Sequence, residues 1–97
     1  MLSKLKQFKD LKKQASDLKS SLAEEEAVGE SKGGLVKITM DGNQEIQNVE
    51  VDESLLASDQ KETLESAIKE AFAKAIKEVQ SLMIRKMQSG EIQMPNL

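Results

Sequence analysis

The chain contains no cysteine, histidine, tryptophan or tyrosine, and among its 97 residues only two are aromatic, Phe8 and Phe72. Without cysteine there is no disulfide to reinforce a domain this small, which buries only a modest fraction of its surface by itself. Without histidine or cysteine the usual transition-metal ligands are missing, and no metal is expected. Without tyrosine or tryptophan, and with both phenylalanines on apolar helix faces, there is no platform on which unpaired bases could stack. No run of apolar residues is long enough for an export signal or a membrane span, so the reading is a soluble cytoplasmic protein with no membrane partner.

What is present is charge, and it is segregated. Met1 to Lys19 holds six lysines against two acids, a balance of +4. Ser20 to Ser66 holds three lysines against twelve acids, −9, and Ala67 to Leu97 returns to +2. Basic arms flanking an acidic centre can steer a polyanion to the arms, while the net charge of −3 argues against indiscriminate nucleic-acid binding.

Residues 1–24 read as a first helix. Phe8, Leu11, Ala15, Leu18 and Leu22 recur at spacings of three and four and form one narrow stripe. At about 100° per residue, Lys6, Lys9 and Lys13 fall on the opposite side, with Lys12 and Lys19 on its flanks. These lysines have two readings, a solvated face that keeps the helix soluble and a row that meets phosphate.

The helical period stops at Glu26, and residues 27–52 read as antiparallel strands. Val36, Ile38 and Met40 alternate with polar residues, Asp41-Gly42-Asn43 reads as a turn, and Val49 and Val51 alternate on the returning strand. Ile46 has the wrong parity for that face and points to a bulge or a loop. A short extra strand is expected near Ala27 to Glu30.

Asp52 or Ser54 can cap a short turn through Leu55 and Leu56, and Ser58 is the expected N-cap of a last helix over residues 58–89. Its broad apolar face includes Phe72 and Ile76, and Ala67, Ala71 and Ala75 allow another element to approach closely. Gly90 and Pro95 end the helix, leaving residues 90–97 as a tail of a single domain, 1–97. A helix of about 45 Å is longer than a compact domain this size is wide, so its far half must lie on another subunit or project into solvent.

No chemistry is legible. Gly29 to Gly34 lacks P-loop spacing and leads into a strand, Asp41 to Glu45 does not fit a calcium loop, and Asp52, Glu53 and Asp59 are explained by capping. No enzyme, cofactor or small-molecule substrate is expected.

The ordered set Val28-Gly29-Glu30-Ser31, Gly33-Gly34-Leu35-Val36-Lys37, Val49-Glu50-Val51-Asp52, Ser54-Leu55-Leu56, Leu64-Glu65 and Ala71-Phe72 with Ala75 resembles the YbaB/EbfC family of bacterial nucleoid-associated proteins. Leu11-Lys12-Lys13-Gln14-Ala15 is similar to the family's first helix, so the resemblance covers most of the chain. It implies an α+β fold with an α-β-β-β-α protomer, a homodimer with paired antiparallel sheets, and binding of double-stranded DNA with little sequence preference in the nucleoid. On that implication Lys6, Lys9, Lys12, Lys13, Lys19, Arg85 and Lys86 are the DNA-binding candidates. Val36, Ile38, Val49, Val51, Phe72 and Ile76 are expected in a core shared by the dimer. The competing expectation is a dimeric scaffold whose first helix docks on another protein, the lysines serving only solubility.

Overall fold

A computed structural model describes residues 2–92, and its elements follow the order helix, three strands, helix. They are α1 (Leu2–Ala23), β1 (Ala27–Glu30), β2 (Val36–Met40), β3 (Ile46–Val51) and α2 (Lys61–Gln88). The strands make one antiparallel sheet in the order β1-β2-β3. Gly29 stands opposite Ile38, Val36 opposite Val51 and Ile38 opposite Val49. Directly opposed residues share a face, so these five line one side of the sheet. Past Thr39 the register slips, Met40 facing Ile46, and Gln47 is the extra residue of a bulge. The bulge accounts for the parity of Ile46.

α2 crosses that face above β1 and β2. Ala67, Ala71, Ala75 and Val79 recur every four residues along it and are buried against Ala27, Val36, Ile38, Met40 and Leu55. Small side chains on this row let the helix backbone settle onto β1. At Gly29 the approach is so close that a Cβ would stand 2.1 Å from the Ala71 carbonyl oxygen and 2.2 Å from the Ala75 nitrogen. The close approach that the alanines allow is therefore to the first strand of the same chain.

α2 covers β3 far less than β1 and β2, and Val51 is the β3 residue that packs at the edge of the core. Of the six expected core residues, Val36 and Ile38 are fully buried, while Val51 and Ile76 are half-buried at the rim. Val49 is 48% exposed and Phe72 44% exposed in the protomer, with Ile68 beside Phe72 also uncovered.

The start of the last helix differs from expectation. Ser58 does not cap it; Ser58–Gln60 forms a 3-10 turn and α2 begins at Lys61 without a side-chain cap. The Gln60 amide bonds to the Ala57 carbonyl, and this tighter i to i+3 pattern consumes a donor that a Ser58 cap would have satisfied. Asp52 does cap its own short turn, accepting from the Ser54 amide at 3.0 Å. At the other end Gly90 adopts φ 80°, and the Glu91 and Ile92 amides return to the Lys86 carbonyl. The expected tail beyond Ile92, including the stop at Pro95, lies outside the described residues.

α1 projects from this body. The chain measures 65 × 25 × 19 Å with a radius of gyration of 18.4 Å, against about 12.5 Å for a compact domain of this length. Along the stripe Phe8, Leu11 and Ala15 are exposed, Leu18 is half-buried and Leu22 alone is buried. Among the described residues no helix is long and apolar enough to cross a membrane.

Candidate nucleic-acid interface

α1 is a regular helix from Leu2 to Ala23, so its lysines keep the angular order that helical periodicity dictates. Lys6, Lys9, Lys12, Lys13 and Lys19 are all exposed. Ion pairs among the described residues engage Lys37, Lys74 and Lys86, and none engages a lysine of α1. The arm therefore presents solvated cations free of ion pairs along one side, with Asp10 and Asp17 beside them, and a bare apolar stripe along the other.

The two candidates on α2 differ from one another. Arg85 is exposed in the last turn and takes no part in an ion pair among the described residues. Lys86 is committed inside the protein: its Nζ lies 2.5 Å from Glu25 Oε1 and 3.1 Å from Glu91 Oε2, with its side chain 11% exposed. Pairing with Glu25 first, and then with Glu91, holds its pKa above the ordinary lysine value. A cation with two carboxylates beside it has little net field to offer a phosphate, which removes Lys86 from the set of free contacts. The sequence carried no signal of this, because Glu25 and Lys86 are far apart along the chain and meet only where the base of α1 passes the end of α2.

Asp41-Gly42-Asn43 reads as a turn, and the geometry agrees. Asp41 is 1% exposed, and its Oδ1 accepts from the amides of Asn43 at 2.8 Å and Glu45 at 3.0 Å, while Oδ2 accepts from Gln47 Nε2 at 3.1 Å. Ser31 is buried in the β1–β2 connection, where its Oγ accepts from the Val36 amide. These bonds occupy both groups in shaping the backbone. The same connection borders an open hollow of about 530 Å³ lined by Lys32, Lys74 and Lys77 together with Glu30 and Glu78. Lys74 already pairs with Glu70 and the other charges nearly cancel, so this hollow does not rival α1 as a site for a polyanion.

The geometry can be set beside known proteins. Residues 1–93 match the sequence model of the YbaB/EbfC DNA-binding family. A nucleoid-associated protein of Rickettsia akari is 39% identical over 64 residues, covering 66% of this chain and 60% of that protein's length. The crystal structure of an uncharacterized protein from Helicobacter pylori superposes with a TM-score of 0.71 at 24% identity, over 95% of this chain and 98% of that one. At that identity the likeness speaks for the fold.

Proposed function

The chain belongs to the YbaB/EbfC DNA-binding family, and from that premise we propose that it is a nucleoid-associated protein, a homodimer that binds duplex DNA through its phosphates with little preference for sequence. The observation that carries the reading is α1: a projecting helix with Lys6, Lys9, Lys12, Lys13 and Lys19 exposed and free of ion pairs among the described residues. Cations that no internal carboxylate compensates are those whose association with phosphate releases counterions. Arg85 adds a cation from α2. The name of the Rickettsia akari relative supports the nucleoid as the place of action.

A second copy of the chain accounts for the surface that this fold leaves bare. Val49 on β3 and Ile68 and Phe72 on α2 are left uncovered, and exposed apolar surface of this kind marks an interaction site. A dimer doubles the lysine rows, and a polyanion that meets both gains from each.

The test is a titration of duplex DNA at several salt concentrations. If the rows neutralise on the order of 4 to 6 phosphates, log affinity falls with log salt at a slope of roughly −4 to −5, nearly alike for unrelated sequences. Replacing Lys6, Lys9 and Lys13 together with glutamate lowers affinity at least about tenfold, or ~1.4 kcal/mol. Melting moves little, since these are surface positions. Undiminished affinity in the triple variant refutes the arm as the contact surface. A parent protein that fails to bind DNA even at low salt transfers the case to the scaffold reading, which the exposed stripe of Phe8 and Leu11 would serve.

A further inference from the structure

Because α1 is bare along most of its length, its direction is decided where its last turn meets the sheet. The final carbonyls of a helix have no partner within it. Here the Gly42 amide of the β2–β3 turn donates to the carbonyl of Leu22, one of these, at 2.8 Å, and Asn43 Nδ2 adds a bond at 2.9 Å to the carbonyl of Lys19 one turn earlier. Leu22 is the stripe residue that is buried, and it sits directly on Gly42. A Cβ at position 42 would stand 2.9 Å from both the Cβ and the carbonyl oxygen of Leu22. The turn is itself braced, since the buried Asp41 carboxylate accepts two of its amides and the side chain of the bulge residue Gln47. Just beyond α1, Glu25 is bound by Lys86 from the end of α2, and Glu91 holds Lys86 from the other side. The base of the arm is thus gripped by the turn and by α2 together.

We propose that the β2–β3 turn and Lys86 form a clamp that sets the direction of α1 and so places its lysine row on DNA. Gly42, Asn43 and Lys86 are then positioning residues that act without touching the nucleic acid. The inference rests on the reading of α1 as the DNA-contacting arm. Leverage makes the clamp consequential: α1 is about 33 Å long, so a 10° swing at its base displaces the tip by about 6 Å, more than the ~3.4 Å axial spacing of phosphates on one strand.

Absence of native cysteine makes the test direct. Cysteines introduced at Asp10 on the arm and Glu62 in the first turn of α2 carry spin labels, and labelled protein is diluted into unlabelled protein so that each distance comes from one protomer. Without DNA, the parent gives one narrow distance distribution. Lys86→Met combined with Asn43→Ala broadens it, Lys86→Arg keeps it narrow, and Gly42→Val shifts it. The combined variant loses DNA affinity about five- to tenfold, the order of magnitude for re-ordering a loosened element on binding, while Lys86→Arg retains it. Should Gly42→Val fail to fold, the combined variant decides, because it removes polar side-chain contacts without adding bulk. A distribution as narrow as the parent's in the combined variant overturns the clamp, and a broadened arm with undiminished affinity overturns its role in DNA placement. Failure of the parent to bind DNA would instead sink the functional reading, and the distances measured without DNA would still decide the clamp.

Discussion

Replacing Gly29 with alanine isolates the contact on which the whole body is built. The added Cβ would fall 2.1 Å from the Ala71 carbonyl oxygen, whereas ordinary contact begins at 3.4 Å, so helix and strand must part by 3.4 − 2.1 = 1.3 Å. Both neighbours are backbone atoms, so no side chain can swing aside. A gap of ~1 Å already forfeits up to about half of a dispersion contact, and it opens along the whole row of Ala67, Ala71, Ala75 and Val79. Overpacking a core commonly costs about 1–3 kcal/mol, and this case belongs at or above the top of that range. That is a large share of the roughly 5–15 kcal/mol that holds a small domain. Gly34→Ala is the control, because Gly34 has φ 70° but nothing within 4 Å of its missing Cβ, so only the left-handed backbone is penalised, at roughly 1–2 kcal/mol. Urea unfolding of parent and variants at one fixed protomer concentration reads both, the fixed concentration removing any contribution from association. If Gly29→Ala proves no more destabilising than Gly34→Ala, the account of helix and strand in backbone contact is wrong.

Charging the bare apolar region, with Val49→Asp and Phe72→Asp together, is expected to shift sedimentation at micromolar concentration from dimer toward monomer. Unaltered association would exclude that region as the interface. Stability is expected to be flat between about pH 6 and 9, since the chain has no histidine. The raised pKa of Lys86, caused first by Glu25, gives a contribution complete below the ordinary lysine value and lost only as pH climbs through the raised one. The lowered pKa of Asp52, caused first by the Ser54 hydroxyl and then by its amide, gives one complete above the ordinary carboxylate value and lost as pH falls through the lowered one. A melting temperature moving by more than about 4 °C inside that window, the equivalent of ~1 kcal/mol in a domain this size, would contradict this.

Much of the fold was legible because short-range periodicity carries it. Alternation at Val36, Ile38 and Met40 marked a strand with one buried face, and the parity of Ile46 marked the irregularity that became the bulge at Gln47. The apolar row of α2 was legible by its spacing, and its alanines announced a close neighbour. Periodicity says which face of an element is apolar, but not how wide its cover is. Val49 shares the alternation of Val36 and Ile38, and Phe72 lies on the apolar face of its helix, yet both remain exposed in the protomer, where one helix covers two strands and leaves most of the third. Likewise the spacing of Lys6, Lys9 and Lys13 predicted a shared helix side, while nothing in the order of residues distinguished Arg85 from Lys86.

By itself the sequence determined the order of elements, the faces they bury, the separation of charge between arms and centre, and the family to which the chain belongs, since all of these reside in local spacing and ordered motifs. Tertiary structure decided the rest: that Gly29 is a point of contact between backbones, that Gly42 and Asn43 serve the end of a helix some twenty residues earlier, and that Lys86 is bound by Glu25. Each of these depends on two segments remote in the chain arriving within a few ångströms of one another. Such a meeting is set by how a helix and a sheet pack as bodies, and no local pattern encodes it.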